Sequence, residues 1–184
     1  MSAHVCPWWI GYFLISPLRR LRQNPYKILS PYEQEGMTVL EPGPGMGFFT
    51  LMLAHLAGPS GRVIAIDIQK KMLEKLKRRA AKRGLADRIE TRLAAKDSMG
   101  VRDLADRVDF ALAFAVVHEM PAADRFFRET AQALKPGACL LLVEPKGHVK
   151  PAQFEEELRS AAAAGLALES RPVIHGSHSA LLRK

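Results

Sequence analysis

At 184 residues, 48% of them hydrophobic and 25% charged, the chain has the length for one domain with a sizeable core, and its composition excludes a disordered one. A formal net charge of +8 suggests an acidic partner, but much of the excess is confined to two stretches, near 19–27 and 69–84. The two cysteines, Cys6 and Cys139, exclude a disulfide framework and a cysteine-built zinc site, and fit a reducing cytoplasm.

Residues 1–36 read as a short helical attachment and not as an independent domain; the domain proper is 37–184. Ser16-Pro17, Asn24-Pro25 and Ser30-Pro31 each pair a cap with a proline at the first helical position, which predicts two or three short helices. The run WWIGYFLI (8–15) is too short to span a bilayer and lacks the flanks of a signal peptide. Trp8, Trp9, Tyr12 and Phe13, followed by Arg19, Arg20 and Arg22, would form an aromatic wall beside cations, suited to an apolar or aromatic substrate bearing an acid. A cover for the sheet edge, a homodimer interface and an interfacial membrane helix are the open alternatives.

From residue 37 the pattern alternates. MTVLE (37–41), RVIAID (62–67), RIETRL (88–93), VDFALAF (108–114) and ACLLLVE (138–144) read as five strands, the near-continuous apolar runs suiting parallel strands buried on both faces. Helices are predicted near 47–57, 70–83, 98–105 and 121–135, with GPSG (58–61) and LKPG (134–137) as stops. In the basic 69–84 stretch, Met72, Leu73, Leu76 and Ala80 form one apolar helical face, so the charges read as a solvated outer surface more readily than as a nucleic-acid site. Cys139, in an apolar run, is expected to be a buried, inert thiol. Pro151 opens a helix expected to reach about Ala164, and 166–171 and 177–184 close the chain as an antiparallel pair. The sum is an α/β fold: a doubly wound, seven-stranded, mostly parallel sheet with an antiparallel last strand.

Within VLEPGPGMGFFT (39–50) an acid closes the first strand and three glycines follow at alternate positions. Glycines there mark a tight turn or a close ligand approach at the carboxyl edge of a sheet. A dinucleotide fingerprint needs a small residue three beyond its second glycine; Phe48 or Thr50 stands there instead. A carboxylate at Glu41 disfavours a diphosphate and suits a cofactor carrying an ammonium and a sulfonium.

This stretch resembles motif I of class I S-adenosylmethionine (SAM)-dependent methyltransferases, which have a Rossmann-like fold. Asp67 after VIAI, LKPGACLLLVEP and the closing strand pair match the same family over roughly 36–184, most closely its small-molecule, ubiquinone/menaquinone-biosynthesis-like group. The resemblance implies SAM as cofactor, with S-adenosylhomocysteine as product. Gly43, Gly45 and Gly47 would face its methionine and ribose parts, and Glu41 its amino group or the loop amides. Asp67 would hold the ribose hydroxyls and Ile68 pack on the adenine. Asp97 would meet the adenine amino group, unless it or Ser98 caps the next helix, and Phe114 would complete the cofactor contacts at the fourth strand's end.

His118 and Glu119 follow that strand in AFAVVHEMP, where certain plant-type O-methyltransferases place a His-Asp pair with the histidine as base; filling the turn is the other role such a histidine has. No metal site is expected. The motifs of base-amino, ribose and C5-pyrimidine methylation are missing from the corresponding stretches, which disfavours nucleic acid, and arsenite methyltransferases carry more cysteines. The expected function is therefore methyl transfer by direct displacement to a small, apolar or aromatic molecule. An RNA or protein methyltransferase recruited by the basic surfaces, and a SAM-binding module without activity, are the alternatives.

Overall fold

Aliphatic runs with no room for polar groups become the inner strands, and mixed runs become the edges. The computed structural model describes Arg19 and residues 22–95 and 97–184; the aromatic wall of Trp8, Trp9, Tyr12 and Phe13, with Ser16-Pro17 and Arg20, lies outside the described residues. In chain order the elements are α1 (Pro25–Leu29), β1 (Thr38–Pro42), α2 (Thr50–Leu56), β2 (Arg62–Asp67), α3 (Lys70–Ala81), β3 (Ile89–Leu93), β4 (Val108–Phe114), α4 (Ala123–Ala133), β5 (Leu134–Pro145), α5 (Pro151–Ala163), β6 (Ala167–Ser170) and β7 (Ser177–Arg183). The strands form one seven-stranded sheet in the order β3-β2-β1-β4-β5-β7-β6. β1 and β2, β2 and β3, and β4 and β5 pair in parallel, and β7 runs antiparallel to both β5 and β6.

Among the described residues the chain divides into two compact units, one ending at Ala94 and the other running Ala95–Lys184. In the first, Val39, Leu40, Val63 and Ile64 are fully buried, and Leu76 of α3 packs with them into the core. The four apolar residues read from the α3 sequence are the four that α3 buries. In the second, Leu140–Val143 of β5 are fully buried, with Phe127 of α4 and Phe154 of α5. β6 is exposed along its whole length, as an edge strand must be.

The structure departs from the sequence reading at several places. No α-helix spans 98–105: only a 3-10 turn forms at Arg102–Leu104. Gly100 takes φ +67, and Glu129 of α4 pins the stretch by accepting from Ser98 Oγ (2.7 Å) and Met99 N–H (2.7 Å), which gives its polar groups partners without a helix. α4 ends at Ala133 and β5 begins at once, because fully buried Leu134 pairs with Val108 before the ladder shifts and resumes at Phe110 and Cys139. α2 starts at Thr50 and not at 47, since the glycine turn occupies those positions. Asn24 caps α1 as expected, with Oδ1 accepting from Tyr26 N–H, whereas Ser30 ends that helix and opens none. Cys139 is half-buried, its Sγ 3.6 Å from Glu169 Oε2.

Candidate active site

β1 and β2 end level with each other, Pro42 opposite Ile66, and the Gly43 N–H donates to the Ile66 carbonyl at 2.8 Å. The chain then turns through Gly43, Gly45 and Gly47 at φ of 67°, 54° and 82°, a region that side-chain-bearing residues rarely adopt. Gly45 and Gly47 differ in what surrounds them. A Cβ on Gly47 would run into Cδ1 of Leu76, so this glycine lets the loop lie on α3. A Cβ on Gly45 would meet nothing within 4 Å, so the loop faces open space there. Also from α3, the Arg79 guanidinium donates to the Met46 carbonyl. Arg19 stacks over Phe48, 4.4 Å from its centroid. Burial lowers Arg19 to about 10.

Glu41 is 3% exposed, and its Oε2 has no hydrogen-bond partner. Burial raises its carboxyl to about 8, against the lowering effect of the Thr50 hydroxyl and with the charge of Asp67 adding to the rise. Glu33 is buried in the same unit with both carboxyl oxygens unpartnered, and burial plus the Glu41 charge raises it to about 9. Asp67 ends β2 and is half-buried; its Oδ1 accepts from the Gln69 N–H (2.8 Å) and so fixes the entry to α3. Ile68, next in the chain, is an exposed apolar side chain. An orphaned buried carboxyl oxygen beside a glycine loop with open space fits a cationic, ribose-bearing cofactor such as SAM.

Glu41, the three glycines, Asp67 and Ile68 thus share one unit, while Asp97, Phe114, His118 and Glu119 belong to the other. Asp97 is exposed and accepts from Arg125 Nη1 (3.1 Å). Phe114 ends β4 half-buried. Ala115 follows at φ +56, and Val117–Glu119 form a single 3-10 turn. His118 Nδ1 is hydrogen-bonded to Oε2 of Glu144, whose side chain is fully buried. Glu144 Oε1 accepts from the Val116 and Val117 N–H groups at 3.3 and 2.8 Å. His148 meets the His118 ring edge-on, 5.5 Å between centroids. Burial lowers His118, and the bond to Glu144 with the charges of Glu144, Glu119 and Glu157 outweighs it, leaving the imidazole above its ordinary value. Glu157, buried on α5 with Oε2 unpartnered, is raised to about 8 by burial and the Glu144 charge.

Glu33, Glu144, His148 and Glu157 were not singled out by the sequence reading. One signal was there for Glu144: LVEP closes β5 as VLEP closes β1, an acid at a strand's carboxyl end in each case. Among the described residues no cluster of three or more His, Cys, Asp or Glu could hold a metal ion, and no helix is long and apolar enough to cross a membrane.

A family model described as a methyltransferase domain matches residues 33–171. The arsenite methyltransferase of Halobacterium salinarum is 31% identical over 67% of this chain and 30% of its own length. The ubiquinone/menaquinone biosynthesis C-methyltransferase UbiE of Brucella anthropi is 29% identical over 63% of this chain and 43% of its own. The chain therefore spans less than half the length of these curated relatives. The fold is shared with a SAM-dependent methyltransferase from Aquifex aeolicus at a TM-score of 0.86 and 24% identity, covering 97% of this chain and 99% of that one. Since the matched residues 33–171 contain the glycine loop, Asp67 and His118, the chain belongs to the methyltransferase-domain family, the SAM-dependent methyltransferases, with SAM as cofactor.

Proposed function

We propose that this chain transfers the methyl group of SAM by direct displacement to a small, apolar or aromatic acceptor. The observation that carries the reading is the loop at the end of β1, where three glycines at positive φ leave open space over Gly45 and the strand ends in Glu41, whose buried Oε2 has no partner. Glu41 there takes the cofactor's ammonium, Asp67 its ribose hydroxyls, and Ile68 an adenine face; Asp97 and Phe114 are the remaining cofactor candidates. Bound SAM supplies an electrophilic methyl: the acceptor's electron pair forms the new bond, the carbon–sulfur pair returns to sulfur, and any proton on the acceptor atom must leave. His118 takes that proton, and the amino-terminal aromatics remain the proposed substrate wall. The relatives' names support a small acceptor, one being a C-methyltransferase of quinone biosynthesis and the other an arsenite methyltransferase.

The test is calorimetric titration with S-adenosylhomocysteine, with NAD as control. Micromolar binding of the first alone is expected. Asp67→Ala should weaken it at least tenfold, about 1.4 kcal/mol. Asp67→Asn, which keeps an oxygen for the Gln69 N–H, separates loss of the ribose contact from loss of the turn. Unchanged affinity in both variants would remove Asp67 from the cofactor site.

A further inference from the structure

The cofactor loop makes no use of Glu144, a fully buried side chain at the carboxyl end of β5. It accepts from the Val116 and Val117 N–H groups through one oxygen and meets His118 Nδ1 through the other. With Glu144 as the carboxylate, its Oε2 can only accept, which puts the hydrogen of this pair on Nδ1 and leaves the lone pair of the ring on Nε2. The same carboxylate ties down the turn that carries the ring: Ala115, one residue before those N–H groups, holds φ +56, which an alanine adopts only when its surroundings impose it. Among the described residues, Glu119 on the same turn, His148 after β5 and Glu157 on α5 act on the ring, and His178 on β7 is the cross-strand partner of Glu144.

We propose that Glu144 is a positioning residue for proton transfer: it holds His118 in the Nδ1–H form, so that Nε2 is the atom that takes the acceptor's proton. This rests on the reading of His118 as the base. It explains why the pair is buried in spite of the cost of burying a carboxylate, since three donors satisfy it.

The experiment is nitrogen-15 NMR of the histidine side chains in the full chain with S-adenosylhomocysteine present, across pH, for the native protein and Glu144→Gln. Glutamine keeps a carbonyl oxygen for the Val116 and Val117 N–H groups but turns an NH2 donor toward Nδ1. In the native protein His118 should be the Nδ1–H tautomer, titrating above the ordinary ~6.5. In the variant it should switch to Nε2–H and titrate lower by about one unit or more, with the circular dichroism unchanged. A Glu144 that serves only the Val116 and Val117 N–H groups, without the bond to Nδ1, would not move the tautomer. Native His118 found as Nε2–H, or a variant with the native tautomer and titration, would overturn the proposal. If Glu144→Gln does not fold, the native tautomer alone decides. Loss of S-adenosylhomocysteine binding by the native protein would instead overturn the cofactor reading, which the calorimetry reads separately.

Discussion

At the scale of single residues, Glu41 sets the expectation for how binding responds to pH. Raised to about 8, its carboxyl is mostly protonated at pH 7, and an ammonium placed against it favours the carboxylate. Binding of S-adenosylhomocysteine at pH 7 should therefore release up to about one proton, less as the pH passes the raised value. Calorimetry in phosphate and in Tris reads this directly, because the measured enthalpy then differs with the buffer's heat of ionisation. Glu41→Gln should abolish the difference and weaken binding; an enthalpy independent of buffer in the native protein would take the ammonium away from Glu41. Glu41 and Asp67 were legible in the sequence because an acid ending an apolar strand is a local pattern. Glu144 carries the same strand-end pattern, but its tie to His118 joins residues 26 apart and leaves no periodicity behind. The adjacent Glu119 offered a nearer but different partner.

At the scale of elements, the glycine loop and α3 divide their work between two glycines that look alike in the sequence. Gly45→Val sets a β-branched residue at φ +54 in open space, a strain of about 1–2 kcal/mol that leaves the fold intact while filling the proposed cofactor space. Gly47→Val adds to a comparable strain a clash with Leu76, which is fully buried and has little room to yield. Circular dichroism with calorimetry should thus find Gly45→Val folded and without S-adenosylhomocysteine binding, and Gly47→Val lower in melting temperature than Gly45→Val. Binding retained by Gly45→Val would reduce the loop to a turn. The strands and the buried face of α3 were legible because their periods are local. The 98–105 stretch was not, because Glu129 on α4, 30 and 31 residues away, supplies the hydrogen bonds a helix would have made. LKPG does stop α4, which ends at Ala133, but the strand after it begins four residues earlier than read, because buried Leu134 already pairs with Val108 in the β4–β5 ladder.

At the scale of the whole molecule, buried carboxyls decide how stability follows pH. Glu33 at about 9 and Glu41 and Glu157 at about 8 keep protons that the unfolded chain gives up near the ordinary 4.5. Between those values the native state holds more protons than the unfolded one, so stability falls as pH rises, by up to about 1.4 kcal/mol per pH unit for each such group. His118 acts in the same direction: its contribution is present below its unfolded value and is lost as pH rises through the higher folded one. The urea midpoint should accordingly drop from pH 6 to pH 8.5, and Glu33→Gln or Glu157→Gln should make the drop shallower. A flat profile in the native protein would mean that these carboxyls have partners that keep them charged. Cofactor binding runs the other way, because a ligand that favours ionised Glu41 binds more tightly as that carboxyl loses its proton. Saturating S-adenosylhomocysteine should then raise the midpoint more at pH 8.5 than at pH 6, and an equal rise at both would separate the stability of the fold from the charge state of its glycine loop.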